Sequence, residues 1–178
     1  MRKVLYIFGL LNDEDVSWMA RIGTTRTLAQ GSDLIREGDH LDMVYIVLEG
    51  HMQVSVEGIG EVARLGSGEM LGEMSFVDGA PASATVSTLD DVKVLEMAKS
   101  DLEQRFVSDP GFAGRFYKAL AVFLADRLRG TVKRMGYGEE TDLDSDEILE
   151  DELDENLLDT IAIAGDRFDR MLRILGRG

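Results

Sequence analysis

The chain has 178 residues, 44% of them hydrophobic, enough for one compact domain with a substantial core plus appended segments. Its formal net charge of -15 and sequence pI near 4.4 exclude non-specific binding to nucleic acids or anionic membranes, which needs a basic surface. Cysteine is absent, so disulfides, thiolate metal sites and a cysteine nucleophile are excluded as well.

Two basic residues precede the apolar run from Val4 to Leu11. The run is short, Asn12-Asp13-Glu14-Asp15 follows at once, and no small-x-small cleavage site appears. A buried first helix is therefore expected rather than a signal peptide. Nothing else is long enough to span a bilayer, and a cytoplasmic location is the expectation. Asn12 followed by three acids reads as a helix N-cap with an acidic first turn. Val16, Met19 and Ile22 continue at helical spacing, and Gly23 ends the helix.

From about residue 24 to 98 the period changes to two. Met52, Val54 and Val56 alternate with Gln53, Ser55 and Glu57, and Met43 to Leu48 is a continuous apolar run of strand length. Ala84, Val86 and Val92-Lys93-Val94-Leu95 add further strands. Glu37-Gly38-Asp39, Glu49-Gly50, Glu57-Gly58, Gly66-Ser67-Gly68 and Asp78-Gly79 mark the turns. Short strands so spaced predict an antiparallel sandwich or barrel.

Ser100-Asp101-Leu102-Glu103 reads as a capping box opening a helix, with Ser100 as cap. Asp109-Pro110 starts a longer one, with proline at the first helical position. Phe112, Phe116, Leu120, Phe123, Leu124, Leu128 and Val132 make one stripe to about Met135, expected to face the core or a dimer partner. The end of this helix is basic, with Arg127, Arg129, Lys133 and Arg134.

Residues 136–160 then hold twelve acids and no Lys or Arg, so twelve of the fifteen net negative charges lie there and the rest of the chain is nearly balanced. Self-repulsion predicts a flexible segment over 137–156. Leu157, Ile161, Ala164, Phe168, Met171 and Leu175 then recur at steps of four and three, predicting an amphipathic helix over 157–178 flanked by Arg167, Arg170, Arg173 and Arg177. Such a helix needs a surface to bury its stripe, either on its own domain, with the acids against Arg127 and its neighbours, or in a partner's groove.

Candidate chemistry concentrates in Leu71-Gly72-Glu73-Met74-Ser75-Phe76 and Pro81-Ala82-Ser83-Ala84-Thr85-Val86. With Leu34-Ile35-Arg36-Glu37-Gly38-Asp39 and Tyr45-Ile46-Val47-Leu48-Glu49-Gly50, these blocks and their spacing resemble the cyclic nucleotide-binding domain family over roughly residues 5–135. That family supplies the sensor module of catabolite-activator-type regulators, cyclic-nucleotide-dependent kinases and gated channels. The resemblance implies a mainly β fold with helices: an antiparallel, jelly-roll-like β-roll flanked by an N-terminal helix and C-terminal helices, occupying residues 1–136. It implies a phosphate cassette in which Gly72 admits the ligand closely, N–H groups around Met74 and Ser75 face a cyclic phosphate, Glu73 accepts from a ribose hydroxyl and Ser83 lies beside the phosphate.

The family's phosphate-binding arginine falls on Ala82. Loss of such a desolvated charge partner costs about 2–5 kcal/mol. Arg64, in the preceding strand, is the candidate substitute cation, and Glu73 reads alternatively as a structural cap on the loop, hydrogen-bonded to backbone amides. The expectation is a non-enzymatic regulatory or adaptor protein acting through protein contacts, with a sensor that still binds a cyclic nucleotide or another small anion as the alternative. No catalytic residue, no metal site and no cofactor are expected, and a cyclic nucleotide only weakly. Asp142-x-Asp144-x-Asp146 lacks the glycine and terminal glutamate of a calcium loop, having Glu147 and Leu153 there. His40 and His51 have no paired carboxylate at useful spacing. Partners are expected to be proteins, with homodimerisation through the long helix as one form. DNA binding is disfavoured, since residues 136–178 hold no basic recognition helix.

Overall fold

The computed structural model describes residues 4–136 and 155–176. Helix α1 (Val4–Leu10) is buried through Ile7 and Phe8, as the short apolar run requires. Helix α2 (Asp13–Ile22) opens on a reciprocal capping box: the Asp15 N–H donates to Asn12 Oδ1 at 2.8 Å, and the Asn12 N–H donates to Asp15 Oδ2 at 2.9 Å. Gly23 closes the helix, its N–H donating to the Met19 carbonyl.

Eight strands follow: β1 (Thr24–Leu28), β2 (Asp33–Ile35), β3 (Met43–Glu49), β4 (Met52–Val56), β5 (Gly60–Leu65), β6 (Met70–Leu71), β7 (Thr85–Thr88) and β8 (Val92–Ala98). They form two antiparallel four-stranded sheets, β1-β8-β3-β6 and β2-β7-β4-β5. The continuous apolar run of β3 has a direct cause. Tyr45 and Val47 face the interior of the roll with Leu28, Met52, Leu65 and Val94. Val44, Ile46 and Leu48 face the opposite way, into a second core shared with the helices. A strand buried on both faces has no polar period. The β3–β4 turn requires Gly50 at φ 89°, where a Cβ would stand 2.6 Å from the Asp91 carbonyl oxygen.

A six-residue helix, α3 (Glu73–Asp78), interrupts the stretch that the sequence presents as a loop between β6 and β7. Helix α4 (Lys99–Ser108) corrects the expected Ser100 cap. Its N-cap is Ala98, with no side-chain bond. β8 runs to Ala98, paired with Met43, and the Lys99 N–H donates to the Asp42 carbonyl at 2.9 Å. The helix therefore springs directly from the strand, and Ser100 falls inside its first turn.

Helix α5 (Pro110–Gly136) starts at the proline, with Asp109 Oδ1 accepting from the Phe112 N–H at 2.9 Å. Its stripe divides. Phe112, Phe116, Ala119, Leu120 and Phe123 are buried in the helical core, Leu124 is half-buried, and Leu128 and Val132 are 64% and 59% exposed. Arg115 on the other side of α5 holds Asp15, itself 1% exposed, through two bonds of 2.7 and 2.8 Å. That hydrogen bonding raises the Arg115 pKa further.

Helix α6 (Glu155–Leu175) lies across α1 and α2. Ala164 and Met171 are completely buried, and the Phe168 ring sits 5.5 Å from that of Phe8. Arg167 donates to Asp13 Oδ1 at 2.9 Å and to the carbonyls of Phe8 and Gly9 at 3.0 and 3.1 Å. Arg170 donates to Asp13 Oδ2 and Ser17 Oγ, both at 3.2 Å. Of the two seats the sequence left open, the described structure has α6 on its own domain. The acidic run over 137–154, with the Asp142–Asp146 spacing, lies outside the described residues, as do the side chains of Leu157 and Ile161. Another expectation is corrected at the far end of the roll. His51 has a carboxylate partner, Asp90, whose Oδ2 is 2.7 Å from its Nδ1 and whose Oδ1 accepts from its backbone N–H. Thirty-nine residues separate them, beyond any local spacing rule.

Two outcomes are expected. Asp15→Ala removes a cap and leaves Arg115 unpaired, and should cost about 3 kcal/mol in denaturant unfolding. The hydrogen bond from Arg167 holds the Asp13 carboxyl below its ordinary 3.8, against desolvation, the next-largest influence, and with help from the charges of Arg167 and Arg170. A depressed folded pKa gives stability that is present above 3.8 and lost as pH falls through the folded value. The difference in melting temperature between wild type and Asp13→Asn should therefore close below about pH 3.8 and be present at neutral pH.

Candidate functional site

The cassette begins where β6 ends. Gly72 adopts φ 79°, a left-handed N-cap that turns the chain into α3, and a Cβ there would lie 3.1 Å from the Met43 carbonyl. The first turn of α3 carries Glu73, Met74 and Ser75. Met74 is half-exposed and Ser75 buried, with the Ser75 carbonyl accepting from Lys99 Nζ at 3.0 Å. Gly79, left-handed at φ 70°, ends the helix and hands the chain to the Pro81–Ala84 loop.

Glu73 is 3% exposed, and its carboxylate is bonded to Arg127 Nη1 on α5. The Arg127 guanidinium also lies 4.4 Å from the centre of the Phe123 ring. Burial pushes the Glu73 carboxyl above its ordinary 4.5, opposed by the Arg127 charge and reinforced by the charge of Glu69, a second buried carboxylate that accepts from the Gly66 N–H at 2.8 Å. Glu73 thus ties the cassette to the long helix through a side chain of α5, a partner that the reading of a cap on the loop did not include.

Ala82 lies with the side chains that fill the interior of the roll. Its N–H donates to the Asp39 carbonyl and its carbonyl accepts from the Gly38 N–H, both at 2.8 Å. This strap fixes the loop against the β2–β3 turn and sets the methyl group in the interior of the roll, among aliphatic side chains. Ser83, the next residue, is exposed. The structure thus separates the residues expected to act together: Glu73 faces the helical layer and Ala82 faces the roll interior. Arg64, the candidate substitute cation, bonds Glu61 at 2.8 Å within β5.

A groove of about 680 Å³ lies elsewhere, lined by Asp33, Arg36, Glu37, Thr85 and the β4–β5 hairpin from Ser55 to Gly60. Glu37 closes one side by accepting from the Glu57 N–H at 2.8 Å. None of Gly72, Glu73, Met74, Ser75, Ala82 or Ser83 lines it. Among the described residues no cluster of His, Asp and Glu could hold a metal ion, and no helix is long and apolar enough to cross a membrane.

Sequence reasoning assigned Arg127 to a generic basic helix end. One signal was available: Arg127 stands four residues after Phe123, on the same helical face as a core aromatic. Nothing local pointed to Lys99, whose partner lies across the fold.

Comparison with known proteins agrees with this architecture. The family model described as cyclic nucleotide-binding domain matches residues 25–109. A cAMP-dependent protein kinase regulatory subunit from Debaryomyces hansenii is 30% identical over 98 residues, covering 55% of this chain and 22% of the relative. The chain thus spans about a fifth of that relative's length. The crystal structure of the N-terminal domain of a transcriptional regulator from Streptomyces coelicolor is 30% identical, with a TM-score of 0.59 over 79% of this chain and 100% of that one. A cyclic nucleotide-binding domain from Methylobacillus flagellatus superposes with a TM-score of 0.69 at 24% identity, over 78% of this chain and 85% of its own. With the β-roll and the helices that close on it in place, residues 25–109 form a domain of the cyclic nucleotide-binding domain family.

Proposed function

We propose that this chain is a non-enzymatic regulatory or adaptor protein that uses the β-roll as a scaffold and acts through protein contacts, with its cyclic nucleotide site degenerate. The observation that carries this reading is the state of the two key cassette positions. An anionic phosphate needs a cation where Ala82 presents a methyl group to an apolar interior. A ribose hydroxyl needs the carboxylate that Arg127 already holds. Losing the first costs about 2–5 kcal/mol, and displacing the second adds to it.

The sensor reading keeps one observation in its favour. Gly72 and the first turn of α3 retain the backbone form of an anion cradle, and a cation, Arg127, does reach the cassette. A ligand offering both a hydroxyl and a phosphate would compete for both halves of the Glu73–Arg127 pair.

Calorimetric titration with cyclic AMP, cyclic GMP and cyclic dinucleotides separates the two. No saturable binding is expected below about 100 μM. A low-micromolar isotherm would overturn the scaffold reading. Ala82→Arg is the companion: an isotherm that appears in this variant and vanishes in Ala82→Arg/Glu73→Gln would mark the missing arginine as the only lesion.

The Glu73–Arg127 tie has its own test. A carboxyl whose folded pKa lies above its unfolded value favours folding at low pH, and that advantage is lost as pH rises through the folded value. The stability of wild type relative to Glu73→Gln should therefore be greatest below about pH 4.5 and decline above it, read from denaturant midpoints across the range.

A further inference from the structure

The groove at the β4–β5 hairpin lies on the outer face of the β2-β7-β4-β5 sheet. Val54 and Val86 pair across β4 and β7 and pack toward the roll interior. Their neighbours Ser55 and Thr85, also paired, therefore turn outward and form the groove floor. Asp33, Arg36 and Glu37 make one rim, and the hairpin tip makes the other. The rims are fixed in place. Glu37 Oε2 accepts from the Glu57 N–H at 2.8 Å, and the Glu37 N–H donates to Thr85 Oγ1 at 3.1 Å.

The charge of the groove is unbalanced. Arg36 Nε lies 3.3 Å from Asp33 Oδ2, and Asp33 Oδ1 accepts from Ser87 Oγ, so this carboxylate is satisfied within the sheet. No cation among the described residues is paired with Glu37 or Glu57. Between these acids and β5 stands Ile59, 74% exposed, whose N–H donates to the Val56 carbonyl at 3.1 Å. A lone exposed isoleucine is ordinary on a protein surface, and so is a solvated acid. Here a pinned turn holds the aliphatic side chain at the lip of a concave, acid-rimmed trough.

We propose that this groove docks a basic segment of a partner protein, which sets an arginine against Glu37 and Glu57 and an aliphatic side chain against Ile59. Charge complementarity selects the occupant. Three carboxylates and one guanidinium leave two negative charges around the groove, which repel an anion. A guanidinium fits both the rim and the floor, because its planar donors can pair a carboxylate and still reach hydroxyl oxygens such as those of Ser55 and Thr85. The trough is also open, with all four charged rim side chains exposed. It suits a chain segment laid along it better than a small molecule, which needs enclosure. The proposal gives the protein-contact reading a surface and a partner chemistry, and it rests on that reading. Its test involves no cyclic nucleotide, so either can fail without the other.

The full chain, labelled with 15N, is to be titrated with an octapeptide of alternating arginine and valine. The acidic run over 137–154 also attracts cations, so the place of binding is the first readout. Saturable amide shifts are expected at Glu37, Glu57, Ile59 and Thr85. Glu37→Gln/Glu57→Gln should weaken this binding at least about tenfold, since its amide at position 37 still accepts from the Glu57 N–H and only charge is lost. Exchanging the peptide's valines for serines should weaken binding to wild type and leave Ile59→Ser unaffected, the signature of a direct contact. Shifts confined to the acidic run, or wild-type affinity in the double variant, overturn the proposal. Spermidine binding the groove as tightly as the peptide would make it a site for free cations. Self-association of the chain, seen by light scattering and lost in the double variant, would make a second copy the occupant. Either result also overturns it. If the double variant fails to fold, Glu57→Gln carries the same comparison, because that side chain makes no bond among the described residues.

Discussion

Burial of β3 on both faces is the constraint from which the rest of the molecule follows. Because Val44, Ile46 and Leu48 point one way and Tyr45 and Val47 the other, β3 is a shared wall between two apolar cores. One core closes inside the roll. The other stays open until helices cover it, and helices from both ends of the chain converge on it. β8 repeats the pattern beside β3, with Leu95 and Met97 facing the helices and Val92 and Val94 facing the roll. The sheet thus holds both cores in fixed relation, and residues on its two sides cannot meet without crossing it.

That division explains the cassette. Glu73 and Ala82 are nine residues apart along a short segment, yet α3 sends the first toward α5 and the strap to Gly38 and Asp39 sends the second into the roll. An arginine at position 82 would enter an aliphatic interior whose nearest carboxylate of the cassette is already paired.

How much was legible in the sequence depended on how local the cause was. The α2 cap, the β3 run and the proline start of α5 were readable because each is set by neighbours within a few residues. The strand framework was readable because alternation and glycine turns are written locally. α3 was not, since a six-residue helix bracketed by two glycines presents the composition of a loop. Ser100 misled for a related reason: its capping box is genuine as a pattern, but the strand pairing of Ala98 with Met43 sets the helix start earlier. The ties that fix the site, Glu73 to Arg127 and Lys99 to the Ser75 carbonyl, join residues far apart in sequence and become visible only in three dimensions. The stripe of α5 is buried as far as Phe123 and exposed at Leu128 and Val132, because periodicity records which face is apolar and not what covers it.

Three carboxylates on early elements, Asp13, Asp15 and Glu73, are each met by an arginine from a later helix: Arg167 and Arg170, Arg115, and Arg127. Arginine keeps its charge throughout the accessible pH range, so these ties differ in the protonation of the carboxylate and in ionic screening. They are not equally open to it. The Asp13 side chain is 58% exposed, whereas Glu73 and Asp15 are 3% and 1% exposed. Counterions reach the Asp13 carboxylate directly, whereas at the other two ties solvent reaches only the arginine, 28% exposed at Arg127 and 34% at Arg115. Rising salt thus acts first on the carboxylate that α6 grips, while the buried apolar side chains of α6 and the two buried carboxylates are affected least.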